Sequence, residues 1–153
     1  MNTDVQVQVF AQFINGEWVP GSSGELIDVI NPATSEVVAK VAKGSGEDIE
    51  QAVLNAREVF ESGVWSKKTQ AERAGVMLQF AGKIRQHAQE LIYLEGISTG
   101  ATLRKLGGAD IGQMVLCLHQ TANMSLKYNF VETLPVVESF GANRSQLVRE
   151  PLG

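Results

Sequence analysis

One cysteine, two histidines and a pair of nearby glutamates are the residues whose types first suggest chemistry in this sequence. A thiol acts as a nucleophile when a cation, an imidazole or a helix N-terminus stabilises its thiolate. Cys117 sits inside the apolar run Met114-Val115-Leu116-Cys117-Leu118, with no cation adjacent in sequence. It is expected in mid-helix as a packing residue, which is the usual place of a free cysteine. His87 and His119 stand 32 positions apart, with no cysteine or carboxylate cluster at ligand spacing around them, so no metal site is expected. Glu90 and Glu95 bracket Leu91 to Leu94, and five residues on one helix send them to different faces, as solvated side chains rather than an acid pair. Gly44-x-Gly46 lacks the third glycine and the following acid of a dinucleotide fingerprint. Ser45 followed by Asp48 reads instead as the cap of a helix.

The elements that must position these residues follow from hydrophobic period. Val5, Val7 and Val9 alternate with Gln6 and Gln8, but residues 1–11 are expected to be a flexible N-terminal tail. Asn15-Gly16 between Phe13-Ile14 and Trp18-Val19 is the dipeptide that accepts positive φ at both centres of a hairpin turn. Strands are expected over 26–30 and 36–41, around the Asn31-Pro32-Ala33-Thr34 turn, so the first forty residues read as mostly antiparallel β. The period then changes to helical. Ile49, Ala52, Val53, Ala56, Val59 and Phe60 share one face, from the Ser45 cap to a stop at Ser62-Gly63. A second helix starts at Thr69, with Glu72 in the capping-box position, and turns Ala74, Met77, Leu78, Ala81 and Ile84 inward. A third runs from His87 and stops around Ser98-Thr99-Gly100. A fourth, over about 109–130, carries Ile111, Met114, Val115, Leu118 and Ala122 on its buried stripe. Leu106-Gly107-Gly108 reads as a loop between helices. Pro135 leads into an extended connection, and Arg144 to Glu150 has strand character ended by Pro151. Four amphipathic helices present more apolar face than these short strands can cover, so a large part of the core is expected to be missing.

Composition narrows the class further. A chain of 153 residues with 44% apolar and 20% charged residues is globular. A net charge of -4 with 13 scattered basic residues leaves no footprint for nucleic acid. No secretory signal is visible at the N-terminus, and no apolar run approaches a membrane span, so the expected partners exclude membrane and the expected compartment is cytoplasmic. A single cysteine fits a reducing compartment. Asn143-Arg144-Ser145 matches a glycosylation pattern, which that compartment makes irrelevant.

Four segments in this order resemble the N-terminal third of NAD(P)-dependent aldehyde dehydrogenases: Phe13-Ile14-Asn15-Gly16-Glu17-Trp18-Val19, Asn31-Pro32-Ala33-Thr34-Ser35-Glu36-Val37-Val38-Ala39, Ala71-Glu72-Arg73, and Arg149-Glu150-Pro151-Leu152-Gly153. Each is weak alone; order and spacing make the resemblance specific. One departure is Ala101, where the family places lysine after the Thr-Gly pair. The resemblance implies an α/β fold: the N-terminal portion of the aldehyde dehydrogenase fold, with short antiparallel strands, four helices and a terminal strand. Residues 12–135 would belong to the dinucleotide-binding domain and 136–153 to the start of an oligomerisation arm.

The activity implied is oxidation of an aldehyde to a carboxylate with NAD or NADP, in a homo-oligomer, through a cysteine thiolate, a glutamate base and an asparagine oxyanion donor. By resemblance all three, with the dinucleotide-binding lysine, lie after Gly153, so this chain alone is expected to hold no catalytic or cofactor-binding residue and to be inactive. Gly112-Gln113 before Cys117 echoes the family's Gly-Gln-x-Cys nucleophile motif, but three residues intervene instead of one. Leu106-Gly107-Gly108 echoes its Glu-Leu-Gly-Gly-Lys motif, but Lys105 and Ala109 stand where the glutamate and lysine belong. In the family, the helix matching 109–130 lines the aldehyde entrance tunnel. Ala109 and Gln113, one helical turn apart, are therefore the candidate substrate-facing positions. An alternative is a non-enzymatic interaction module whose terminal strand pairs with a full-length homologue.

Overall fold

Asn15 and Gly16 take positive φ angles of 55° and 81°, which closes β2 (Gln12–Ile14) against β3 (Glu17–Val19) as the expected antiparallel hairpin. Phe13 stands opposite Trp18 across it, their ring centres 5.0 Å apart. This is a computed structural model, and it describes residues 7–138 and 141–152. Residues 1–6 of the expected tail therefore lie outside the described residues.

The rest of that tail is corrected. Gln8–Phe10 form a strand, β1, parallel to β5 (Val37–Ala42) in the register Gln8 to Ala39 and Phe10 to Val41. β4 (Leu26–Ile30) lines the other side of β5 antiparallel, giving the order β1-β5-β4. The expected antiparallel sheet is thus mixed, because β1 supplies its second edge through a pairing thirty residues distant in sequence. Between β4 and β5 the Asn31 side chain accepts from Ala33 N–H at 2.9 Å, and Asn31 N–H reaches Glu36 O at 2.8 Å. This is the local Asx geometry that makes an Asn-Pro-Ala-Thr segment turn.

Helix α1 (Gly46–Ser62) and α2 (Gln70–Gln86) both begin with complete capping boxes, Ser45 with Asp48 and Thr69 with Glu72. α3 (Ala88–Thr99) ends at Gly100, whose φ of 72° is left-handed. A Cβ there would also stand 2.8 Å from Pro32 Cγ. The Thr-Gly helix end and the Asn-Pro turn, remote in sequence, thus touch in space, and glycine is required on both counts. A single turn, α4 (Leu103–Lys105), runs into a π-helical turn over Leu106–Asp110, followed by α5 (Ile111–Ser125). The expected loop at Leu106-Gly107-Gly108 is therefore helical. Two glycines in a row are poor helix formers, but Leu106, fully buried, holds the turn in place.

α2 and α5 run antiparallel. Gln70 at the start of α2 donates to the carbonyls of Ser125 and Tyr128 at the end of α5, at 2.7 and 2.6 Å. Ala81, Ile84 and Val115 form the buried cluster, with Leu91, Ile111 and Leu118 packed on it. Ala74 and Ala122 are buried as well. Of the stripe expected on the last helix, Met114 departs, being exposed. The terminal residues form two nested antiparallel pairs, β6 (Val131–Thr133) with β9 (Gln146–Val148) and β7 (Val137–Glu138) with β8 (Ala142–Asn143). The terminal strand β9 takes its partner, β6, from upstream in the same chain.

Beyond this small core the chain is open. Its accessible surface is 12,019 Å², against about 7,600 Å² for a compact folded chain of its 16.6 kDa. The apolar face of α1 accounts for part of the excess: Ile49 is 62% and Val53 61% exposed. A chain folded this openly is expected to bind a hydrophobic dye such as ANS and to lack a sharp thermal transition. A single cooperative melt of isolated residues 1–153, without dye binding, would contradict that reading of the open faces.

Candidate functional site

Ala109 is the next-to-last residue of the π-helical turn, and Gln113 follows in the first turn of α5. Both line a shallow hollow of about 470 Å³ whose other walls are Gly108, Asp110, Met114 and Cys117. Gln113 Nε2 donates to Cys117 Sγ at 3.2 Å, the neighbour contact of residues four apart on a helix. Cys117 is thus exposed beside the candidate substrate-facing position. The expectation that it packs in the interior is corrected: the apolar run around it is continuous in sequence, but only Val115 and Leu118 of that run turn toward α2. The i, i+4 spacing from Gln113 was the signal that placed Cys117 on this wall. Nothing comparable in sequence pointed to Gly108.

Across the π-helical turn, Lys105 Nζ meets Asp110 Oδ2 at 2.6 Å. The pair is surface-exposed and adds little to stability, but it leaves the hollow without an unpaired charge. His87 Nδ1 lies 3.1 Å from Glu90 Oε2 on the exposed helix surface, and no group of three metal-ligating side chains occurs among the described residues.

A larger cleft, of about 940 Å³, runs between the α1–α2 connection and the terminal hairpins, lined in part by Trp65, Arg73, Tyr128 and Arg149. Three of its four cationic side chains are engaged, Lys68 being the exception among the contacts of the described residues. Arg73 donates to Lys68 O at 2.5 Å and stacks over Phe130; Lys67 donates to Ser62 O; Arg149 pairs with Glu132 and lies over Tyr128. The cleft is a packing seam, and the smaller hollow is the candidate site.

The start of α1 is where a phosphate would be cradled if Gly44-x-Gly46 held a dinucleotide. That position is filled by Asp48. Its carboxylate accepts from Ser45 N–H at 2.9 Å, Gln12 Nε2 at 3.0 Å and Ser22 N–H at 3.2 Å. The described residues therefore do not fit a dinucleotide phosphate here. The Ser45 amide, then the Gln12 side chain and the other donors, hold the Asp48 carboxyl well below its ordinary value, at about 2. Glu72 is lowered in the same way, chiefly by the Thr69 amide.

The aldehyde dehydrogenase family model matches residues 18–153. Benzaldehyde dehydrogenase of Antirrhinum majus is 33% identical over 97% of this chain and 27% of its own length. Betaine aldehyde dehydrogenase of Bacillus subtilis is 32% identical over 92% of this chain and 28% of its own length. Among solved structures, an indole-3-acetaldehyde dehydrogenase superposes with a TM-score of 0.80 at 33% identity, over 88% of this chain and 30% of that one. Betaine aldehyde dehydrogenase of Staphylococcus aureus, solved with NAD+, superposes at 0.77 with 35% identity, over 82% and 25%. The chain belongs to the aldehyde dehydrogenase family, and it spans a little over a quarter of the length of the curated relatives it matches.

A carboxylate whose pKa is lowered by folding stabilises the fold fully above its ordinary value, near ~3.9, and loses that contribution as pH falls through about 2. A carbon-detected NMR titration of Asp48 is expected to show a midpoint near 2. Asp48→Ala is expected to lower stability at pH 7, with the difference from wild type vanishing below pH 2. A midpoint near that of a free carboxyl would contradict the clamp.

Proposed function

We propose that the complete protein oxidises an aldehyde to a carboxylate with NAD or NADP. In this reading the present residues supply the scaffold and one wall of the aldehyde entrance at Ala109 and Gln113. Residues 12–135 contribute to the dinucleotide-binding domain, and 136–153 begin an arm through which copies assemble into a homo-oligomer. What carries the reading is that a segment matching the family over residues 18–153 brings Ala109 and Gln113 to one solvent-open hollow. This reading assigns the family's catalytic cysteine, glutamate and asparagine to polypeptide outside these 153 residues.

Gln113 places a polar group on a largely apolar hollow, which favours a substrate that is not purely aliphatic. The relatives named for benzaldehyde and indole-3-acetaldehyde act in their names on ring-bearing aldehydes, in keeping with that preference. A cytoplasmic location belongs to the same proposal. No described helix is long and apolar enough to cross a membrane, and the Antirrhinum relative is named mitochondrial, so fractionation of the gene product decides the compartment.

The test is aldehyde-dependent reduction of NAD or NADP. Residues 1–153 alone are expected to show none, and the complete gene product to show turnover. Turnover by the isolated segment would overturn the assignment of the site. Within the active protein, Gln113→Leu is expected to change the preference between polar and aliphatic aldehydes by about fivefold, as ~1 kcal/mol for one lost hydrogen bond implies. An unchanged substrate profile would remove Gln113 from the entrance.

A further inference from the structure

We propose that Arg149 fixes the angle of the terminal ribbon against the helices and thereby governs how firmly copies of the protein assemble. The inference rests on the proposed reading of residues 136–153 as the start of an assembly arm, and adds to it the side chain that aims the arm.

A two-stranded ribbon has no packed face of its own to hold its direction. Here β6 pairs with β9 over three residues and β7 with β8 over two. Arg149 N–H to Phe130 O and Leu134 N–H to Ser145 O, both at 2.9 Å, extend the first ladder at its two ends. β7, β8 and β9 are exposed along their whole length. The ribbon therefore takes its direction from its base, where Arg149 stands opposite Phe130.

Arg149 Nη1 donates to Glu132 Oε1 at 2.7 Å and to Asn129 O at 3.1 Å, and the guanidinium lies 5.7 Å from the centre of the Tyr128 ring. Register accounts for the reach. Glu132 is paired with Leu147, so Arg149, two residues on, is its diagonal neighbour on the same face of the ribbon. The segment that Arg149 holds is fastened in turn to α2. Gln70 Nε2 donates to Tyr128 O at 2.6 Å, and the Arg73 guanidinium lies 5.4 Å from the centre of the Phe130 ring. The Tyr128 and Phe130 rings meet edge to face at 4.9 Å, which joins the two arginine–aromatic contacts into one stack. Glu132 precedes the proposed arm and Arg149 lies within it, so their ion pair crosses the boundary between scaffold and arm. The pair is 36% and 44% exposed and adds little to overall stability. Its effect is on orientation: an arm already held at one angle loses less conformational freedom when it docks on a second copy.

The experiment measures subunit exchange in the complete gene product, by energy transfer between two differently labelled preparations. Changes within one interface are expressed mostly in dissociation. Arg149→Met is expected to accelerate exchange by about fivefold or more, as loss of an ion pair and a cation–π contact implies. Arg149→Lys keeps the charge but not the plane that lies over Tyr128, and is expected to accelerate exchange by less. The double variant Arg149→Glu with Glu132→Arg is expected to restore part of the slow exchange. Asp48→Ala, which weakens the fold away from the ribbon, is the control and is expected to leave exchange within about twofold of wild type. Exchange at the wild-type rate in Arg149→Met, or equal acceleration in Asp48→Ala, would overturn this inference alone. If Arg149→Met does not fold, Glu132→Gln decides the matter: a smaller acceleration supports the anchor, and none overturns it. A wild-type gene product that is monomeric would overturn the proposed assembly and this inference with it.

Discussion

The close packing of α2 against α5 is the contact on which the rest of the structure depends. Ala74, Ala81 and Ala122 are buried along it, and Ile84 and Val115 are buried toward the end where α2 finishes and α5 begins. Small residues bring two helices near, so little apolar volume suffices to exclude water between them. Gln70 fixes the register by bonding the last carbonyls of α5. Once α5 is fixed, the π-helical turn before it has only one place to go. Leu106 enters the interior where α3 and the turn meet, Gly107 faces Ile92, and Gly108 to Asp110 border the open side. The hollow bounded by Gly108, Ala109 and Gln113 is a consequence of that geometry rather than a separate feature.

The same packing explains what is left open. α2 and α5 satisfy each other, but α1 is held mainly at its N-terminus, where Asp48 gathers Gln12, Ser22 and Ser45. Polar clamps of this kind orient a helix; they do not bury its apolar stripe. Ile49, Val53 and Val59 stay exposed for that reason, as do Ile27 and Leu26 on the sheet. The excess surface is concentrated on correctly capped, correctly phased elements rather than on disordered ones. The chain that carries these open faces covers 27 to 30% of the length of several relatives.

What the sequence disclosed divides along the range of the interactions. Capping boxes at Ser45 and Thr69, the Asn15-Gly16 turn and the Gly100 stop depend on residues within four positions, and all were legible. The parallel partner of β5, and the upstream partner of β9, depend on contacts across some thirty and fifteen residues. A period-2 pattern says that a strand exists but not what lies beside it. Leu106-Gly107-Gly108 failed for a different reason. Propensity argued against a helix, and one buried leucine overrode it, which is how tertiary context commonly defeats local preference.

Cys117 carries the most instructive error. Its apolar neighbours suggested burial, because a run of Met, Val, Leu, Cys and Leu was read as a block. A helix does not bury blocks; it buries a stripe, and only the residues in phase with Val115 and Ala122 belong to it. Counting from the substrate-facing candidate instead, Gln113 plus four reaches Cys117 directly. Its sulfur accepts the Gln113 amide at 3.2 Å, so the same spacing that takes Cys117 off the buried stripe sets it against the side chain of its neighbour one turn before.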